Sequence, residues 1–145
     1  MERRIDIDVS YPVEHTVEVL ADLGSYPRWI TGVSESTSLG DDRWAVVLSA
    51  RIGPFTRSKK LIMRMTQARA GEGVTIDCIR DEGPGHGQWH VHYSVQPSDD
   101  GCSVSAVLRY DGRWWVPDQL GRVLEGVITS ARTGLVAELN RRAVR

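Results

Sequence analysis

The chain has 145 residues, of which 41% are hydrophobic and 26% charged, and its formal net charge is −1. That length fits one domain, residues 1–145, able to bury roughly 70% of the surface its unfolded form exposes, and the composition excludes a disordered chain. Acids and bases alternate along the whole sequence, which removes the electrostatic reason for a nucleic-acid or anionic-membrane partner, and no apolar run reaches the roughly 20 residues that span a bilayer.

In chain order, Ile5, Ile7 and Val9 alternate with Asp6, Asp8 and Ser10, the pattern of a strand with one buried face. Pro12 and Glu14 then suit the first turn of a helix, whose stripe is Val13, Val17, Leu20 and Ala21, and Gly24-Ser25 ends it. Tyr26-Pro27-Arg28-Trp29-Ile30 reads as a second short helix or turn. From Val33 to Asp111 strand follows strand, with turns at Gly40-Asp41-Asp42, Gly53-Pro54, residues 70–73, residues 83–87 and Ser98-Asp99-Asp100-Gly101. Apolar residues at every second position, such as Leu61, Met63 and Met65, set against Arg64 and Thr66, predict a one-sided antiparallel meander.

Pro117-Asp118 opens a helix that continues to about Arg142. Leu120, Val123, Leu124, Val127, Ala131 and Leu135 share one face, with Ile128 and Leu139 at its margin. About 25 residues make a rod on the order of 37 Å, long enough to cover the apolar face of a sheet. The fold class is therefore α+β: one strand, two short helices, about six strands and one long helix.

That order, with Asp22 followed by Tyr26-Pro27-Arg28-Trp29 after the first helix, resembles the superfamily of START lipid-transfer domains, polyketide cyclases/dehydrases and plant pollen allergens. Arg51-Ile52-Gly53-Pro54-Phe55 is similar to the strand junction of that superfamily's carbon monoxide dehydrogenase G branch. The resemblance covers nearly the whole chain and implies a helix-grip fold, a curved sheet of about seven strands gripping the long helix with a cavity between them. It also implies a role among lipid carriage, quinone binding, polyketide cyclisation and hormone sensing, without choosing one.

The candidate ligand-binding residues are Trp29, Met63, Met65, Cys78, Trp89 and Tyr93, at inward parity, facing Leu120, Leu124 and Ile128. Such residues fill cores by default, and adaptable sulphur and aromatic walls also suit an apolar ligand. Gly126, Ser130 and Gly134 lie on one flank of the long helix, where close backbone packing is favoured over room for a ligand or for a second copy in a homodimer.

His86, His90 and His92, with Cys78 nearby, invite a metal, but no third ligand stands at zinc spacing and alternation puts His90 and His92 on the wet face. No metal and no cofactor are expected. Cys78 and Cys102 lie in separate strand-like segments and read as free thiols of a cytoplasmic protein. The basic N-terminus lacks the apolar stretch of a signal peptide.

Catalytic signals are thin. Tyr93, Tyr110 and Cys78 are inward, and Glu35 and Thr37 lie on a strand of unfixed parity. Arg51, Arg64, Asp77 and Arg109 point outward unless a bulge at Gly53-Pro54 reverses them. No nucleophile elbow, dinucleotide fingerprint or phosphate loop is present. Trp114-Trp115 sit between the last strand and the long helix, one as a staple and the other as a contact at the cavity mouth. The expectation is a non-catalytic carrier or sensor of a small hydrophobic ligand (a lipid, a quinone or a polyketide-like aromatic). A cyclase or dehydratase using the same cavity, and an interaction or membrane-docking protein without a ligand, are the alternatives.

Overall fold

A computed structural model describes residues 2–52, 54–69, 73–81, 88–111 and 117–144; the side chains of residues 52, 80, 81, 117–121, 123 and 124 lie outside that description. The chain runs as strand β1 (Glu2–Val9), helix α1 (Val13–Ala21), a single 3-10 turn (Leu23–Ser25) and helix α2 (Tyr26–Trp29). Six strands follow, β2 (Val33–Gly40), β3 (Arg43–Ile52), β4 (Phe55–Arg69), β5 (Gly73–Asp81), β6 (Gln88–Ser98) and β7 (Gly101–Asp111), and then helix α3 (Pro117–Ala143). The strands form one antiparallel sheet in the order β1-β7-β6-β5-β4-β3-β2, so that β2 to β7 are a continuous meander and β1 adds itself beside β7. This is the helix-grip arrangement.

Alternation sets the inner face. Ile5, Ile7 and Val9 are buried while Asp6 and Asp8 are exposed. On β4, Leu61 and Met63 are buried and Met65 is half-buried, whereas Arg64 and Thr66 are exposed. The β3–β4 register runs unshifted from Arg43↔Arg64 to Ile52↔Phe55, so no bulge reverses the outward residues there. Register shifts fall instead between β4 and β5, at Ile62/Met63 and Met65/Gln67, and between β2 and β3, at Val33/Glu35 and Ser38/Gly40. The hairpin between β2 and β3 turns on Asp41 and Asp42, both at positive φ (54° and 57°), the geometry that matches strand twist and that Asp tolerates better than most residues.

Among the described residues the backbone of α3 comes closest to α2, α1 and β1. Gly134 explains the first part of this: a Cβ there would stand 1.9 Å from the Trp29 carbonyl oxygen, so the two helix backbones meet directly. One turn on, Glu138 is wholly enclosed and accepts hydrogen bonds from Arg28 (2.8 Å), Arg141 (2.7 Å) and Arg142 (3.1 Å). Arg142 also donates to Asp22 at 2.7 Å, tying α3 to the residue that follows α1. Burial by itself would raise the Glu138 carboxyl; the hydrogen bonds from Arg28 and Arg142, with the charges of Arg28 and Arg141, outweigh it and hold the group below its usual value. Gly126, eight residues before Gly134, is exposed and, among the described residues, has nothing within 4 Å of an added Cβ. Close packing, expected along the whole glycine flank, is found at Gly134 and, among the described residues, not at Gly126.

The two glycines should respond to alanine with opposite signs. Gly134→Ala should lower the unfolding free energy in urea by roughly 1–3 kcal/mol, because a backbone carbonyl cannot move aside. Gly126→Ala should raise it by up to about 1 kcal/mol, the helix propensity difference without a steric cost. Two losses of equal size would show that the helix is seated along its whole length.

Candidate functional site

Between the inner face of the sheet and α3 lies a cavity of about 200 Å³. The sheet contributes Ile5, Ile7, Leu61, Met63, Ile76, Tyr93 and Ala106, and the helix contributes Val127, Ile128, Ala131 and Leu135. Leu20, Leu23, Tyr26 and Trp29 wall one end, while Thr31, Gly32, Ser49 and Ala50 border it where the chain enters β2 and leaves β3. Gly32 has φ +103° and a Cβ there would meet a Val127 methyl at 3.1 Å, so the rim passes close beneath the helix without a side chain of its own.

The segment Asp22 to Trp29 builds the closed end through a relay of hydrogen bonds. The Ser25 hydroxyl donates to the Asp22 carbonyl at 2.7 Å and accepts from the Trp29 indole N–H at 3.0 Å. The rings of Tyr26 and Trp29 meet edge to face, 5.0 Å between centroids, which fixes both against the void. Arg28, between them in sequence, points the other way and reaches Glu138. One short helix thus presents two aromatic walls inward and one cation outward.

The Tyr26 hydroxyl donates to the Leu20 carbonyl at 2.6 Å and stands 3.1 Å from the Tyr93 hydroxyl. A phenol carries one proton, so the Tyr26 hydroxyl serves either the Leu20 carbonyl or the Tyr93 oxygen at a time, and in the second bond Tyr93 accepts. Burial pushes the Tyr93 hydroxyl up to about 12, against a smaller opposing effect of its bond to Tyr26. Burial, followed by the charge and hydrogen bond of Tyr93 and the charge of Asp22, raises Tyr26 well above its ordinary value. Both are neutral hydrogen-bonding groups at ordinary pH.

Of the candidate residues, Trp29, Met63, Trp89, Tyr93 and Ile128 are brought together around the cavity. Met65 and Cys78 are not: both are half-buried against the edge of the core, outside the cavity lining. α1 packs across β4 to β7, and Cys78, the partner of Met63 in the β4–β5 ladder, borders a second, polar recess with Asp77, His90, Arg109 and Tyr110. The side chains of Leu120 and Leu124 lie outside the described residues, as do His86, Trp114 and Trp115. Glu35 and Thr37 are exposed.

Alternation alone did not single out Tyr26, Arg3 or Lys59. Arg3 shares the parity of Ile5 and Ile7 and borders the cavity, a signal present in the sequence but masked by its charge. Lys59 shares the parity of Leu61 and Met63 and is buried.

The outer face is polar and laddered. Asp77, His90, Arg109 and Glu2 stand opposite one another across β5, β6, β7 and β1. His90 bonds to Asp77, His92 to the Thr75 hydroxyl at 2.7 Å, and Arg109 to Glu2 at 2.7 Å. Among the described residues no three His, Cys, Asp or Glu side chains could hold a metal ion. Cys78 and Cys102 are not joined in a disulfide, and Cys102 is buried with its thiol against the Thr16 hydroxyl. No helix among the described residues is long and apolar enough to cross a membrane.

This helix-over-sheet cavity defines a class of protein, and the sequence places the chain in it. Residues 1–141 match the family model described as polyketide cyclase / dehydrase and lipid transport, and the chain belongs to that family. Solved structures agree on the fold. A conserved protein from Geobacillus kaustophilus is similar with a TM-score of 0.80 at 17% identity, covering 97% of this chain and 96% of that one. A START superfamily protein from Mycobacterium smegmatis gives 0.70 at 16% identity, covering 96% and 97%. The Zhui aromatase/cyclase from Streptomyces sp. R1128 gives 0.69 at 15% identity, covering 100% and 94%. No curated protein sequence matches the chain. The carbon monoxide dehydrogenase G branch is not specifically shown by these likenesses.

The phenol pair sets an alkaline limit. A group whose neutral form is favoured in the fold stabilises it fully below its ordinary value of 10.0, and that contribution is lost as the pH rises through about 12. Urea unfolding from pH 9 to pH 12 should show stability falling above about pH 10, with a shallower fall in Tyr93→Phe. Equal slopes in the two proteins would mean that Tyr93 titrates as an exposed phenol does.

Proposed function

We propose that the domain binds and carries a small hydrophobic ligand, such as a lipid, a quinone or a polyketide-like aromatic, in the cavity between the sheet and α3. The void itself supports the reading. Protein interiors are packed as densely as organic crystals, so a space of about 200 Å³ lined by Val127, Ala131 and Ala106, where larger residues would close it, is room for an occupant. The apolar lining supplies affinity at about 25 cal/mol per Å² of ligand surface removed from water.

The Tyr26 and Tyr93 hydroxyls are the polar groups that meet at the closed side of this lining, bonded to the Leu20 carbonyl and to each other.

An apolar fluorescent probe should bind the purified protein at about one site per chain. Ile128→Trp should weaken it about tenfold or more while leaving the melting temperature within a few degrees, since the void accepts the larger ring. No probe binding by the parent, together with roughly 1–3 kcal/mol of destabilisation in the mutant, would identify a filled interior and overturn the proposal.

A further inference from the structure

The net charge of −1 conceals a segregation along the chain. Residues 43–71 hold seven of the 18 Lys and Arg and none of the 19 Asp and Glu, leaving 11 cations against 19 acids elsewhere. The even mixing expected from the totals therefore stops at Asp42 and resumes at Glu72. This stretch is the hairpin of β3 and β4. Near its base the charge is offset, since Arg43 lies 4.0 Å from Asp41 and Arg64 stands opposite Asp77. Toward its tip Arg51 and Arg57 are exposed, and among the described residues neither pairs with a carboxylate.

The hairpin also outruns its neighbours. Pairing of β2 with β3 reaches only Leu48, and pairing of β5 with β4 only Leu61, whereas β3 and β4 pair with each other as far as Ile52↔Phe55. The end of the hairpin is thus a two-stranded arm projecting from the sheet. Ser49 and Ala50, at the root of this arm, border the cavity, and Arg57 stands opposite Ala50. The tip lies two residues further, roughly 7 Å at 3.4 Å per residue. Unshifted register keeps Phe55 and Arg57 on the face of Leu61 and Met63, the face that meets the cavity. Phe55 is 69% exposed. One exposed aromatic is ordinary by itself. Here it leads a projecting arm that has cations behind it and the cavity rim at its root.

We propose that this arm docks the domain on an anionic lipid bilayer, with Phe55 at the headgroup–acyl boundary and Arg51 and Arg57 on the lipid phosphates. The order along the arm matches the order of such an interface: an uncharged tip from Ile52 to Phe55, then cations. A nucleic-acid duplex would meet the cations but offers no apolar layer to a leading phenylalanine. Docked this way, the rim at Ala50 is brought to the bilayer, where an apolar ligand resides. The purpose of docking rests on the carrier reading above, while docking itself depends on the hairpin alone.

Co-sedimentation with vesicles of phosphatidylcholine, alone or with roughly one-third phosphatidylglycerol, provides the test. At low salt the parent should partition about tenfold or more strongly onto the anionic vesicles, and most of that preference should vanish at about 0.5 M salt. Arg51→Gln/Arg57→Gln should weaken anionic-vesicle binding about tenfold or more, whereas Arg4→Gln/Arg132→Gln, removing the same charge from β1 and α3, should change it less than about twofold. Phe55→Ser should weaken it about tenfold without altering its salt dependence. All of these positions are exposed, so the fold tolerates the changes. Equal binding to both kinds of vesicle, equal losses in the two double mutants, or an unaffected Phe55→Ser would overturn the docking. So would binding of a labelled single-stranded oligonucleotide that depends on Arg51 and Arg57, with none to vesicles. Apolar-probe titration of the same protein separates the two readings. Probe bound without a vesicle preference leaves carriage standing and removes docking, and hairpin-dependent vesicle binding without probe binding does the reverse.

Discussion

Backbone meets backbone where Gly134 of α3 crosses Trp29 of α2, and a Cβ at that point would come within 1.9 Å of a carbonyl oxygen. Beside this contact, Glu138 is sealed under Arg28, Arg141 and Arg142, with Asp22 beyond. A buried carboxylate is costly unless its partners are complete, so the cluster tolerates few other positions of the helix. The C-terminal half of α3 is therefore held against α1 and α2. Its preceding turns, from Val127 to Ala131, are carried over the sheet and roof the cavity. The void is a consequence of where the helix is fastened.

The same short helix that receives α3 also forms the cavity end. Trp29 donates to Ser25, Ser25 donates to the Asp22 carbonyl, Tyr26 and Trp29 meet edge to face, and Arg28 leaves the cavity to engage Glu138. Seating of α3 and shaping of the aromatic wall are thus coupled through the five residues from Ser25 to Trp29. Disturbing Arg28 should be felt at Trp29, although the two side chains point in opposite directions. In the family to which the chain belongs, described as polyketide cyclase / dehydrase and lipid transport, such an arrangement supplies a frame into which different lining residues can be set.

Much of the fold could be read from periodicity alone. Alternation at Ile5 to Val9 and at Leu61 to Met65 assigns inner and outer faces correctly because one face of the sheet is buried and the other is wet. The site was harder to read. Met65 and Cys78 share the inward parity of true lining residues, yet both lie outside the cavity lining, and Cys78 borders the second, polar recess. Gly126 and Gly134 occupy equivalent helix positions in sequence, yet one is free and the other touches a backbone, because a long-range crossing cannot be seen in a local pattern. Arg3 carries the opposite lesson. Its parity was legible, and its partly exposed side chain borders the cavity while its guanidinium stays beside Glu125.

Ligand carriage depends above all on an unfilled apolar space under the front half of α3. Xenon enters dry apolar cavities and is excluded from close-packed interiors. A crystal structure determined under xenon pressure should show bound xenon among Met63, Tyr93, Ala106 and Ile128, with α3 in place. Xenon-free density there, with Ile128 and Ala131 closed onto the sheet, would contradict the account.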